Sequence, residues 1–326
     1  METTGCGFRK CWPRRHLYRR TAIAKMSAIF SSVRSRWNQA HPRCAEPGCN
    51  LMRRMWRRIG GWHGNIRLRG SCYCAPQCFE NAAHKCFSEA CVSDFAASPV
   101  QHRIPLGLLM LSRGLLSNGQ LQAALEAQQA SGRHRLGEWL EMLGFATEQQ
   151  VTTTLGLQWA CPVLAWKTPR DSGCGRMLPY RLLERFRMLP VQFVAATRIF
   201  YVAFCDGIDY TALYAIEQML DCRTEACLIS RSSMDRELER MGHEARAGDL
   251  LFESWHDPAA MAHITCSYAL RLGAEQVRIV GCGEYIWVRV DSGREVTTLL
   301  FRHPLAARPQ EYPSFGDHSS ARQAAG

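Results

Sequence analysis

Two cysteine pairs are the first residues in this sequence whose type and spacing suggest chemistry. "HPRCAEPGCN" carries Cys44-x4-Cys49, and "GSCYCAPQCFENAAHKC" carries Cys74-x3-Cys78. Four converging thiolates hold zinc in a closed tetrahedral centre, which is structural because no position is left open for a reacting group. Pro47 and Gly48 suit a knuckle-like turn inside the first pair. "NIRLRGSCYC" suits a short hairpin, and the second pair stands where a helix would begin, at "PQCFENAAHKCF". That order is the order of a treble-clef site. The competing ligands are Cys72, Cys86, Cys91 and His41, and the plain alternative is a set of free thiols, since the spacings are not the standard two-residue ones. Cysteines 161, 174, 205, 222, 227, 266 and 282 stand without pairs and read as small core residues. Sixteen cysteines in 326 residues without a secretory signal point to a reducing, cytoplasmic compartment.

Other chemistry is hard to find. A phosphate-binding loop needs Gly-Lys-Ser/Thr. The lysines are Lys10, Lys25, Lys85 and Lys167, and none follows a glycine, so ATP hydrolysis by this chain is not expected. No nucleophile–base set and no HExxH pair stands out, and the chain reads as a non-enzyme. The net charge of +11 is local: residues 1–70 hold 16 Lys+Arg against Glu2 and Glu46, a balance of +14, and the rest of the chain is −3. Within that segment "MRRMWRRIGGWHG" interleaves arginine with tryptophan, a composition that can contact nucleic acid or an anionic surface, though more often it is a solvated basic helix. No apolar run is long enough to span a membrane.

The elements that would position these residues begin with an internal repeat. Leu106-Gly107 falls on Leu136-Gly137, Met110 on Leu140, Gly114 on Gly144, Leu121 on Val151, Leu125 on Leu155 and Gln128 on Gln158, all at one offset of thirty residues. Each unit reads as helix, turn, helix. Leu136, Trp139, Leu140 and Leu143 recur at helical spacing, and Gly144 suits the residue that ends the helix. Thr147 with Gln150, and Ser117 with Gln120, are capping boxes opening the second helix of each unit. After Pro162 the pattern turns mixed: a helix at "PYRLLERF", strands at "MLPVQFV" and "RIFYVAF", a helix at "DYTALYAIEQML", a strand at "EACLIS" and a helix at "SSMDRELERM".

The motif Arg-Leu-Gly, two residues, Leu, three, Gly, six, Leu, three, Leu, two, Gln resembles the twin motif of the N-terminal domain of type II secretion and type IV pilus assembly ATPases, the MshEN or GspE N-terminal domain. The second unit matches with Arg135, Leu136, Gly137, Leu140, Gly144, Leu155 and Gln158, and Val151 varies conservatively. The first matches with Leu106, Gly107, Met110, Gly114, Leu121, Leu125 and Gln128, but Pro105 stands where the arginine belongs, with Arg103 two residues upstream. The resemblance covers roughly residues 102–242. It implies cyclic di-GMP as a ligand, one motif for each guanine-bearing half, with the second half-site intact and the first impaired. The chemistry fits: a forked arginine meets the two acceptors of a guanine edge and stacks on the base. Glycine permits close approach of the backbone, leucines supply an apolar floor, and glutamine bonds a remaining polar edge. The plain alternative is that leucine and glycine only pack and cap a helical repeat.

The same resemblance makes "DPAAMAHITCSYALRLGAEQVRIVGCGEYIWVRVDSGREVTTLL" the start of a PAS-like segment. Gln276, Arg278 and Val280 stand where that family commonly carries Asp, His and Glu. The expected fold class is α+β, with a helical-hairpin repeat followed by a small α/β subdomain, an N-terminal zinc-finger-like module and a C-terminal PAS-like remnant. The expected divisions are a basic, disordered 1–40, a cysteine-rich module over 41–95, the repeat-bearing domain over 102–242, a truncated PAS-like segment over 243–303 and a disordered tail over 304–326. The function expected is that of a non-catalytic regulator or adaptor that binds cyclic di-GMP, holds zinc and docks on a secretion or pilus machine in the cytoplasm, peripheral to the inner membrane. The alternative is a zinc-containing nucleic-acid-binding protein that uses its basic N-terminal module.

Overall fold

The computed structural model describes residues 44–49, 66–92, 103–132, 134–166, 173–243 and 249–303. The repeat forms four helices, α2 (Leu106–Ser112), α3 (Asn118–Ser131), α4 (Leu136–Met142) and α5 (Glu148–Trp159), after an earlier helix α1 (Pro76–Val92). Both expected capping boxes are present. Gln120 N–H donates to Ser117 Oγ at 3.3 Å while Ser117 N–H donates to Gln120 Oε1 at 2.8 Å, and Thr147 and Gln150 reproduce both bonds. Gly114 and Gly144 turn the chain between the paired helices with φ of +68° and +70°, a region that costs a side-chain-bearing residue. The units then cross-pack, α2 on α5 and α3 on α4, around Met110, Leu116, Ala124, Leu140, Ala146 and Val151. Neither hairpin has a core of its own.

The next stretch is α6 (Tyr180–Phe186), β3 (Met188–Val194), β4 (Ile199–Phe204), α7 (Tyr210–Leu220), β5 (Arg223–Leu228) and α8 (Arg231–His243). Its strands form one sheet in the order β3-β4-β5, with β3 antiparallel and β5 parallel to β4. The parallel pair requires a crossover, and α7 supplies it. Asp209 caps α7, accepting from the Ala212 N–H at 3.0 Å, and the helix covers the sheet with Ala212, Leu213, Ala215, Ile216 and Met219.

A second sheet holds β1 (Ile66–Leu68), β2 (Ser71–Tyr73), β6 (Asp249–Phe252), β7 (Gln276–Cys282), β8 (Tyr285–Asp291) and β9 (Val296–Arg302), in the order β2-β1-β7-β8-β9-β6. Strand alternation divides its residues between two cores. Val277, Ile279, Ile286, Val288, Val290, Leu299 and Phe301 pack with α1 and α9 (Pro258–Arg271). Val280, Cys282, Trp287 and Leu300 join the core of the α/β half.

Here the structure departs from the expected divisions. Residues 41–95 and 243–303 were expected as separate pieces, yet β1 pairs in parallel with β7, Arg67 opposite Gln276 and Leu68 opposite Val277. Helix α1 packs on α9, and Phe79 and Phe87 are fully buried in their shared core. A parallel pairing across some two hundred residues leaves no local pattern, because periodicity reports which face of an element is apolar and not what covers it. The segments 1–40 and 304–326, both expected to be disordered, lie outside the described residues. So does most of the basic run. No helix among the described residues is long and apolar enough to cross a membrane.

Candidate ligand cavity and thiolate centre

Cross-packing of the two units leaves a cavity of about 190 Å³ at the second motif. Arg135, Leu136, Gly137, Val151 and Leu155 line it together with Leu106 of the first unit. Met110 and Leu140 are buried and belong to the core of the repeat. Leu125 is 39% exposed and does not line the cavity. Gly114 and Gly144 serve the turns.

The remaining motif residues are engaged with protein. A Cβ on Gly107 would lie 2.6 Å from Leu121 Cδ1, and one on Gly137 would lie 2.9 Å from Val151 Cγ1. These glycines let helices approach helices. Of the two, only Gly137 also lines the cavity. The glutamines also face protein. Gln128 Nε2 donates to the His134 carbonyl at 3.1 Å, and Gln158 Nε2 donates to the Ile104 carbonyl at 2.7 Å. Each unit's last motif residue thus holds the residue just before the other unit's motif. The two carbonyls stand one residue before the N-cap of their helix and so have no intrahelical partner, which makes them acceptors for a fixed amide.

Arg135 and Pro105 occupy equivalent places, each the residue before its helix, with φ/ψ of −77°/159° and −55°/141°. Proline therefore does not distort the first entrance. It removes a guanidinium. Arg103 does not replace it, because its guanidinium stacks over the Trp159 ring at 3.4 Å from the centroid. Arg135 is exposed, and its Nη1 donates to the Asp206 carbonyl at 3.2 Å.

The cavity wall that sequence reasoning missed is polar: Glu141, Glu148, Thr152, Cys205, Asp206 and Arg231. Arg231 forms ion pairs with Glu138 and, at 2.6 Å, with Asp206. Glu148 accepts from the Ser232 N–H at 2.6 Å and the Ser232 hydroxyl at 2.7 Å, which ties α5 to the start of α8. Arg187 adds a bond to Asp235 at 2.6 Å and stands 3.6 Å from Asp206. Burial pushes the Glu141 carboxyl above its ordinary value; Arg231 opposes this, and Glu148, Glu138 and Asp206 add to it. Asp206, Arg231 and Cys205 come from the α/β half, so no local signal placed them here. The cavity is bounded by an apolar floor from the repeat and a charged rim shared between the two halves.

The thiolate set comes together as the spacing predicts. The sulfurs of Cys44, Cys49, Cys74 and Cys78 all lie within 4.8 Å of one another, and Cys49 Sγ is 3.3 Å from Cys74 Sγ. None is in a disulfide. Four sulfurs 2.3 Å from one zinc stand about 3.8 Å apart, so this spread suits the ion. The Cys49 N–H donates to the Glu46 carbonyl at 3.1 Å across a turn with Gly48 at φ +92°; the hairpin β1–β2 follows, and Cys78 lies in the first turn of α1. Burial, with the neighbouring sulfurs, pushes Cys74 up to about 12 and Cys78 higher still. At Cys44 burial also raises the pKa, but hydrogen bonds from the Cys74 and Glu46 backbone and from the Cys74 and Cys49 thiols bring it below its ordinary value. Three or four thiols this close repel as thiolates unless a cation joins them. The competitors are elsewhere: Cys86 is in the sheet–helix core, Cys91 packs against it, and Cys72 contributes backbone only, its carbonyl accepting from the Ala45 N–H at 2.9 Å. His41 lies outside the described residues.

No protein-family model matches the chain, and no curated protein matches it. Solved structures similar to it include MshE with cdg, at 30% identity over 43% of this chain and 99% of that one, with a TM-score of 0.38. The N-terminal domain of XpsE is similar in two crystal forms. One has 21% identity over 41% of this chain and 92% of that one, TM-score 0.31. The other has 22% identity over 40% and 90%, TM-score 0.25.

Proposed function

We propose that this chain is a non-catalytic regulator or adaptor whose duplicated helical hairpins bind cyclic di-GMP, and which docks through that domain on a secretion or pilus-type machine. The observation that carries the reading is the cavity between the two motif units, with Arg135 at its rim and Leu106, Leu136, Val151 and Leu155 in its walls. A cavity of about 150 Å³ admits a benzene, so about 190 Å³ is room for one base and not for a whole dinucleotide. One guanine enters beside Arg135, and the rest of the ligand lies along the first unit, where Pro105 offers no guanidinium. Zinc at the four cysteines is structural in this reading. Nucleic-acid binding has no observation in its favour, since most of the basic segment lies outside the described residues.

Calorimetry with cyclic di-GMP on the full chain tests it. Arg135→Ala is expected to weaken binding about ten- to over a hundredfold, the loss of ~1–3 kcal/mol for a forked, stacked arginine. Pro105→Arg is expected to tighten it, because the backbone there already has the conformation Arg135 uses. Wild type and Pro105→Arg both remaining folded and silent at high micromolar ligand would overturn the reading.

A further inference from the structure

A second cavity, of about 210 Å³, opens between the α/β half and the six-stranded sheet. Phe193, Met219 and Leu220 give it an apolar side, and Arg198, Arg278 and Arg289 give it a cationic one. None of its lining residues belongs to the duplicated repeat. Two of the arginines are anchored at the end of α7: Arg278 Nη1 donates to the Met219 carbonyl at 2.7 Å, and Arg198 Nη2 donates to the Leu220 carbonyl at 3.1 Å and pairs with the exposed Asp221 at 3.1 Å. Helix C-terminal carbonyls attract cations, so these two are placed for a local reason.

Arg289 is placed differently. It lies directly opposite Arg278 in the β7–β8 ladder, inside the sheet, and among the described residues no hydrogen bond or ion pair holds its guanidinium. Like charges directly opposite one another destabilise a sheet, and a half-buried cation without a partner costs more. Asp291, two residues further along its strand, also lines the cavity and accepts from the Gly293 N–H at 2.8 Å through one oxygen, and it makes no ion pair with Arg289. Burial and Arg278 press the Arg289 pKa down, and Asp291 offsets this only in part. On the same face its neighbours are Trp287 and Asp291 along the strand, Thr298 opposite on β9, and Gln276 and Val280 beside Arg278 on β7, so the arginine pair stands in a largely polar stretch of the sheet. An oxyanion between the two guanidinium groups turns that repulsion into attraction. Guanidinium forks match phosphate with paired N–H···O bonds, and a doubly charged group suits two facing cations better than a carboxylate does.

We propose that this cavity is a binding site for a small organic phosphate, held by Arg278 and Arg289 at the phosphate and by Phe193, Met219 and Leu220 at an apolar body. It is distinct from the cyclic di-GMP reading and stands without it.

The test is the thermal midpoint and calorimetric affinity of the full chain with inorganic phosphate and with phenyl phosphate, against chloride at matched ionic strength. Wild type is expected to be stabilised by phosphate and more strongly by phenyl phosphate. Arg289→Gln is expected to lose roughly tenfold or more in affinity for both, while melting no lower than wild type without ligand. Arg289→Lys keeps the charge but not the fork, and is expected to fall between the two. Arg135→Ala, in the other cavity, is expected to leave the phosphate response unchanged, which separates this site from the proposed nucleotide site. A wild type that responds to phosphate no more than to chloride overturns the proposal. So does an Arg289→Gln variant that binds phosphate normally, or one that melts well below wild type without ligand, since its arginine would then be serving the fold. Phenyl phosphate binding no tighter than inorganic phosphate removes the apolar half of the assignment.

Discussion

At the scale of single residues, the repeat shows how the same motif letter can serve packing in one place and a cavity in another. Gly107 and Gly137 are equivalent in sequence, yet only Gly137 lines the cavity, because the α/β half closes over the second unit with Asp206 and Arg231. Gly144 serves backbone geometry alone: a Cβ there meets nothing within 4 Å, but its φ is +70°. Gly144→Ala should therefore cost about 1–2 kcal/mol in urea unfolding and, on the proposed reading, leave cyclic di-GMP affinity unchanged. Glu141 carries a pH signature. Its carboxyl is raised above the ordinary value of 4.5, chiefly by burial. The stability this contributes is full below the unfolded-state value and is lost as pH rises through the folded one. Glu141→Gln should thus melt above wild type at neutral pH, with the difference shrinking as pH falls through the raised folded value and gone below the ordinary value. If the proposed reading holds, the same change should tighten cyclic di-GMP, because it removes a negative charge from the wall of the cavity that would receive an anionic ligand. A midpoint difference that does not change with pH would remove Glu141 as the titrating group.

At the scale of elements, the informative unit is the knuckle, hairpin and helix start that gather four thiols. The turn at Glu46–Cys49, β1–β2 and the first turn of α1 are each too small to hold a core, and the sulfurs stand at their meeting point. Protein purified under reducing conditions should carry about one zinc per chain, and Cys78→Ser should carry much less. Chelation should lower the thermal midpoint of wild type, because binding free energy at a structural site is folding free energy. Metal analysis that finds no zinc in reduced protein would reduce the cluster to free thiols. The helical elements were the most legible part of the chain. Ser117 and Thr147 with their glutamines, and the glycines three residues before each, mark boundaries by chemistry confined to a few adjacent residues.

At the scale of the whole molecule, the hydrophobic surfaces decide which segments form one body. Ile66, Leu68, Phe79 and Phe87 share a core with Met261, Val277, Val288 and Phe301. Deleting residues 1–95 should therefore strip the edge of β7 and bare one face of α9, lowering the midpoint and promoting aggregation, as size-exclusion chromatography would read. An unchanged midpoint would mean that the two parts fold independently. The amino-acid sequence alone determined the repeat and its offset, the capping boxes, the order of strands and helices in the α/β half and the four cysteines. Each of these is local or periodic, and backbone geometry enforces it within a few residues. Tertiary structure alone decided that β1 joins β7, that Asp206 and Arg231 form a wall of the repeat's cavity, that the motif glutamines hold carbonyls, and that Arg278 faces Arg289. Those facts depend on which surfaces meet after the chain has closed loops of up to two hundred residues. Apolar burial drives that closure without direction, so the sequence records that a face must be covered and leaves its partner to the packing of the whole.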